Sequence, residues 1–244
     1  MTTTPPSPTR GILLMIAAIL LFTAMDATAK GLIQRYPAPQ VIWVRFAGQL
    51  VIVLLLLRHH IGPVLRTRFP VLHFWRSASQ FGATTFFFLS LPHIGLAEAT
   101  AIADINPVLI TLGAALFLGE RLGPRRLAGV AVALIGALIV IRPGAGVFTW
   151  WALLPLLCAV SYATSALLTR KIGAQESVWA SMVYAALFGT LVAGLALPFV
   201  WQPVAMEDLW RFGLIACLGT GAQLCIIRSF SITEASVVAP FAYL

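Results

Sequence analysis

The chain has 244 residues, 60% hydrophobic and 10% charged, with a formal net charge of +8. A soluble domain carries about 25% charged residues, so a water-soluble fold is excluded. The apolar residues fall in blocks close to the ~20 residues that cross a hydrocarbon core, without the alternating ~10-residue strands of a β-barrel. The expected class is an all-α integral membrane protein. The basic residues sit at the ends of apolar runs rather than on one patch with aromatics. That pattern fits topological anchoring and not nucleic-acid binding. Cys158, Cys217 and Cys225 lie inside apolar runs and form no CxxC or Cys/His cluster. Neither a disulfide framework, a metal site nor a cofactor is indicated.

Residues 1–10 are polar and proline-rich and read as a short disordered cytoplasmic tail. The run from Gly11 lacks a small-residue cleavage site and is followed by further spans, so it reads as a first membrane helix rather than a signal peptide. Eight spans are expected: Gly11–Ala29, Pro39–Leu57, Phe74–Leu91, Leu96–Leu118, Leu127–Ile141, Trp150–Leu168, Val178–Pro198 and Leu209–Ile227. A ninth begins near Glu234 and is too short to cross before Leu244.

With the N-terminus in the cytoplasm, the inner segments hold Arg10, Arg58, Arg66, Arg68, Arg76, Arg121, Arg125, Arg126, Arg170, Lys171 and Arg228. The outer ones hold Lys30, Arg35, Arg142 and Arg211. This bias sets the N-terminus inside, in a bacterial inner membrane.

The chain also repeats itself. LAEATAIADINPVL (Leu96–Leu109) aligns with ITEASVVAPFAYL (Ile232–Leu244), and Trp75-Arg76 with Trp210-Arg211. The first copy, 11–144, holds five spans, and an odd number inverts the second copy, 145–244. Two inverted halves around a midplane cavity form a transporter architecture. The second copy stops within its fourth helix, which leads to the expectation of roughly 35 further residues by analogy with the first copy.

Gly95–Gly144 carries a small-residue-rich helix with a mid-helix proline, a Gly119-Glu120-Arg121 exit and a glycine-rich following helix. It closely resembles the signature of the EamA type of the drug/metabolite transporter superfamily. Ala24–Phe46 fits that family's first hairpin, and the tail ASVVAPFAYL the start of its ninth helix. The resemblance implies a 5+5 inverted-repeat helix bundle with both termini cytoplasmic. It also implies transport of metabolites such as amino acids, nucleobases or their derivatives. The chain departs from the family plan in lacking the end of the ninth helix and the tenth.

Polar groups in hydrocarbon are costly, about 2.5–3.5 kcal/mol for Asp or Arg at a helix centre on insertion scales, and those retained usually face the bundle interior. Asp26 and Arg45 fall at similar depth in the outer half and can form an intramembrane ion pair. They read either as a hairpin lock or as a site that binds a zwitterionic or anionic substrate or gates access. Ser165 and Tyr184 take their places in the second copy. Asp104 lies about 12 Å into its helix. Pro107 beside it frees the carbonyl of Ala103 and kinks the helix. With Asn106 this suits binding of a cation, proton or polar ligand; a simple kink with a buried Asp is the competing reading. Gln80, Tyr162 and Gln223 can supply neutral contacts, and Trp43 and Tyr184 can stack on a ring, against packing or interfacial anchoring for each. Glu98 and Glu234 complement helix dipoles. Glu120 is expected to pair with Arg121 or Arg125. His59-His60 makes a poor metal site, and His73 and His93 are placed at the interface. Small residues at four-residue spacing (Gly129, Ala133, Ala137; Ala185, Gly189, Ala193; Gly213, Cys217, Gly221) favour close helix packing, the first set also suiting a homodimer face.

The function expected is secondary transport of a small-molecule substrate by rocking of the halves, without a P-loop and driven by a gradient or exchange, with Asp26 or Asp104 available for proton coupling. A non-transporting scaffold or inactive fragment is the alternative. A membrane-embedded enzyme lacks an HExxH, a GxSxG or a paired His/carboxylate motif, and no enzymatic role is expected.

Overall fold

The computed structural model describes residues 8–58, 61–120, 150–173 and 176–238, with isolated positions between 123 and 135 and residue 241. The described elements are helical: α1 (Pro8–Ile33), α2 (Ala38–Leu57), α3 (Pro70–Ser90), α4 (Leu96–Ala103), α5 (Asn106–Leu118), α6 (Leu153–Ile172), α7 (Val178–Gly194) and α8 (Leu209–Ile232), with one-turn segments between them. The fifth expected span falls largely outside the described residues, as do His59, His60, Arg121, Arg125, Arg126, Ala133, Ala137 and Arg142.

Five stretches among the described residues are long and apolar enough to cross a membrane: Thr9–Ile33, Ala38–Leu57, Leu96–Leu118, Trp150–Ile172 and Met206–Ile232. Val178–Gly194 is apolar but shorter. α3 is long enough, yet its buried face carries His73, Arg76, Ser77, Gln80 and Thr84, which lower its hydropathy. Leu13, Leu55, Leu116, Phe117 and Leu191 instead point outward. Hydrocarbon offers backbone and side-chain polar groups no partners, so the polar residues turn inward and the apolar ones face lipid.

The pairing of helices follows a two-fold rule. α1 packs along α8 and α3 along α6, the two most extensive contacts; α2 packs on α7, and α3–α7 is matched by α2–α8. Exchanging α1 with α6, α2 with α7 and α3 with α8 returns the same set. The direction also inverts. The loop after α1 and the first turn of α2 meet residues 202–208 at one end of the bundle, through Arg35, Tyr36 and Gln40. The loop after α6 meets Thr67 and Arg68 at the other end, through Glu176. This is the arrangement of inverted repeats about an axis in the membrane plane.

The fourth span is interrupted. α4 ends at Ala103, Asp104 and Ile105 form a turn, and α5 starts at Asn106 with Pro107 in its first turn. A proline is tolerated there because the first helical N–H groups lack intrahelical partners anyway. The expected weakness is thus a local interruption of the hydrogen-bond ladder at Asp104 and Ile105, whose backbone stays right-handed helical, just before the proline.

Close packing uses glycine where two helices nearly touch. A Cβ on Gly189 would lie 2.3 Å from Cγ of Phe46, and one on Gly48 would lie 2.4 Å from Cβ of Ala216. The stripe expected at Gly213 and Cys217 is on the outer surface instead; the buried face of α8 runs through Ala216, Gly219 and Ala222. Gly189→Ala should therefore lower stability in detergent, by about 1–3 kcal/mol of overpacking. Adding Phe46→Leu should recover part of that loss in thermal unfolding, and equal melting of Gly189→Ala and wild type would show that α2 and α7 sit farther apart than described.

Candidate functional site

A cavity of about 150 Å³ opens between α1, α2, α3, the α4–α5 break and α6. One water needs about 10–15 Å³ of such space, so the cavity is large enough for a small solute. Six of the residues expected to bind substrate line it: Asp26, Arg45, Gln80, Asp104, Asn106 and Tyr162. The fold reaches this result by converging elements far apart in sequence. α1 brings Asp26, α2 brings Arg45, and α3 brings Gln80 with Thr84 one turn on. The α4–α5 break brings Asp104 and Asn106, and α6 brings Cys158 with Tyr162 one turn on.

Arg45 is 2% exposed. Its Nη1 donates to Thr84 Oγ1 at 2.7 Å and its Nε to Met25 Sδ at 3.2 Å. The guanidinium carbon lies 4.8 Å from the Phe46 ring centre, a cation–π distance. No N–O contact within 4.0 Å joins Arg45 to Asp26, which departs from the expected ion pair. The guanidinium is held by Thr84 and the aromatic ring, and the two charges face one cavity within electrostatic reach. Gln80 Oε1 accepts from Ser165 Oγ at 3.1 Å, tying the cavity wall of α3 to α6. Asn106 Oδ1 is shielded from solvent and accepts no hydrogen bond.

Two expected contacts lie elsewhere. Tyr184 donates its hydroxyl to the carbonyl of Leu65 at 2.8 Å and stacks on His73 at 5.0 Å, near one end of the bundle. Gln223 is buried in α8 but does not line the cavity. Trp43 packs edge-on against Trp201. His73, placed at the interface by sequence, is fully buried because α3 turns its polar face into the bundle. His93 is exposed and stacks on Trp151. Glu120 pairs with Arg170 at 3.3 Å. Thr84, Thr100 and Cys158 were not singled out in the sequence. The signal was the four-residue spacing of Gln80 to Thr84, Thr100 to Asp104 and Cys158 to Tyr162, which places each on the face of a residue that was.

The ends of the α2–α7 pair are bound by polar seams. At one end Asp208 accepts from Arg35 (3.1 Å), Tyr36 (3.0 Å) and Arg211 (2.9 Å). There Gln40 and Gln202 also exchange two hydrogen bonds, at 2.8 and 3.0 Å. The hydrogen bonds to Asp208 and Glu207 hold the Arg35 guanidinium above its ordinary range. At the other end Glu176 Oε1 accepts from Thr67 Oγ1 at 3.0 Å and from the Arg68 amide at 2.7 Å.

An all-helical membrane bundle built from inverted halves around an internal cavity with charged and polar groups in its wall is the architecture of a secondary transporter. The EamA-like transporter family model matches residues 9–142, and the chain belongs to that family. It is 29% identical over 240 residues to the pseudopaline exporter CntI of Pseudomonas aeruginosa, covering 96% of this chain and 83% of the relative. It is 28% identical to a riboflavin transporter of Rhizobium johnstonii (95% and 78% covered) and 24% identical to an S-adenosylmethionine uptake transporter of Rickettsia bellii (96% and 80%). A crystal structure with 21% identity superposes with a TM-score of 0.74 over 97% of this chain and 85% of its own, which shows the shared fold. The protein is a multi-pass membrane transporter of small metabolites.

Asp208 is 1% exposed and anchors three donors, whereas the Glu207 side chain is 73% exposed. Asp208→Asn should lower the melting temperature, while Glu207→Gln should leave it near wild type, since exposed pairs contribute little. Equal effects of the two would remove Asp208 from the role of seam anchor.

Proposed function

We propose that the cavity binds a zwitterionic metabolite, with its carboxylate at Arg45 and its cationic nitrogen at Asp104 and Asn106. The observation that carries this reading is the free acceptor of Asn106, beside Asp104 on the helix break and in the same cavity as Arg45. A buried acceptor without a donor costs about 1–3 kcal/mol, which a bound ammonium would recover. Broken helices in the middle of a membrane supply such ligands in transporters.

The charge count supports the same reading. With Asp26 and Asp104 ionised and Arg45 protonated, the cavity lining carries one net negative charge. A zwitterion adds no net charge, so one protonated carboxylate makes the loaded cavity neutral, and Asp26 or Asp104 is available to carry that proton. Relatives named for pseudopaline, riboflavin and S-adenosylmethionine match at similar identity. The cargo class is therefore drawn from the cavity and not from any one of them. The bias of Lys and Arg supports a cytoplasmic N-terminus in a bacterial inner membrane, which puts the end carrying Arg35 and Asp208 outside. The repeats divide near residue 144.

Purified protein would be screened by thermal shift against amino acids, nucleobases, adenosyl compounds and riboflavin, and hits followed by radiolabelled flux in liposomes. Arg45→Gln and Asp104→Asn should each lower flux of a zwitterionic hit by about tenfold or more, the scale of unpairing a buried charge. Cys217→Ser, on the outer surface, should transport like wild type. Wild-type flux in both cavity variants would remove the cavity from substrate binding. Flux independent of pH would remove the proton from the cycle.

A further inference from the structure

Arg76 is fully buried in α3, one turn before Gln80 of the cavity wall. Its Nε donates to Thr169 Oγ1 of α6 at 2.8 Å and its Nη1 to the Ser181 carbonyl of α7 at 3.0 Å. Both acceptors are neutral, and no carboxylate among the described residues lies within 4.0 Å of the guanidinium. A buried cation without a counter-charge is costly in a bilayer, and anchoring at a membrane surface does not explain one inside the bundle.

The other repeat shows what a neutralised version looks like. Arg211, which aligns with Arg76, is paired at 2.9 Å with Asp208 three residues earlier. The same register puts His73 where Asp208 stands. His73 is fully buried and neither ring nitrogen has a hydrogen-bond partner; Ser77 Oγ beside Arg76 is also buried and unpartnered. Glu176 reaches to 4.0 Å from His73 Nε2 but already accepts from Thr67 and Arg68. The result is a buried guanidinium on the seam between the repeats, with two uncommitted polar side chains three residues before and one residue after it on the buried face of α3. A ladder of neutral bonds continues from it to the cavity, through Thr169 to the Ser165 carbonyl and from Ser165 to Gln80.

We propose that Arg76, His73 and Ser77 form an anion-binding stop on the route between the cavity and the α6–α7 loop, engaged when α3 parts from α6 and α7. It takes the carboxylate or phosphate group of the passing solute. The closed seam seen here covers the site with Thr169 and Ser181, and opening exchanges those neutral acceptors for the anion. The proposal rests on the transporter reading but not on the cavity assignment. Its test reads access and field at Ser77 without any flux.

Ser77→Cys in a background with Cys158, Cys217 and Cys225 replaced by Ser would be placed in nanodiscs, where both faces meet the reagent. With each rate divided by that reagent's rate on a free thiol, anionic sulfonatoethyl methanethiosulfonate should label Cys at that position about tenfold faster than the cationic trimethylammonioethyl reagent, the scale of local field effects in clefts. Arg76→Lys should keep this preference and Arg76→Gln should bring the ratio near one. Inorganic phosphate should slow labelling in the arginine protein, a readout that stands even if Arg76→Gln fails to fold. No labelling by either reagent would overturn the proposal by showing a permanently sealed seam. Equal rates with arginine present, or no protection by phosphate, would overturn it by removing the anion site.

Discussion

Hydrocarbon leaves a polar group no partner but another part of the protein, and this constraint arranges the whole bundle. It turns Arg45, Arg76, Gln80 and Thr84 inward and gives each a specific acceptor or donor on a different helix. α3 shows the cost and the use of this most clearly. Its polar face makes it less apolar than α1 and α2, yet it packs against both α6 and α7 and supplies the cavity wall. Without partners across the seam, such a helix would not rest in a bilayer. The interface between the two repeats is therefore what makes α3 stable there.

The same constraint fixes which edge of the bundle stays together. The loops at the ends of α2 and α7 are joined at one end by Asp208, at the start of α8, and the paired Gln40 and Gln202, and at the other by Glu176 and Tyr184, which bond residues 65–68. Each seam draws one partner from each repeat. Between them Phe46 seats against Gly189, where a side chain would block approach. The cavity lies on the other side of α2, among α1, α3, α4 and α6. Such an edge, bonded at both ends and close-packed in the middle, would serve as a pivot for rocking halves, with the cavity set off to one side of it.

Much of this was legible in the residues. Runs of about twenty apolar residues gave the spans, and an intramembrane charge or a proline beside Asp104 marked the depth of the site. Six of the cavity residues were found because each was a polar group in hydrocarbon. Tyr184 and Gln223 met the same criterion and lie elsewhere, since composition fixes depth but not the face a helix presents. Arg76 and His73 were misplaced for a related reason. They stand near the start of an apolar run, where basic residues normally anchor at the surface, and only the packing of α3 against α6 and α7 shows that they are inside.

The repeats share a backbone plan and differ in charge, and the difference has a physical use. Alternation needs two halves that can exchange conformations, which is a property of backbone and packing, and the exchange of α1–α8 with α3–α6 contacts meets it. Recognition needs an asymmetric field. Asp26 has Ser165 in its place in the second repeat, and Asp208 has His73 in its place in the first. The negative charge thus sits in the cavity and on the seam near Arg35, and an unneutralised positive charge sits at Arg76. The proposed solute, with one group of each sign, would meet these fields in sequence. Side chains on such a plan can change without disturbing the pivot. Relatives at 24–29% identity are named for cargoes as different as pseudopaline and riboflavin, as expected where cargo choice lives in side chains carried on a shared fold.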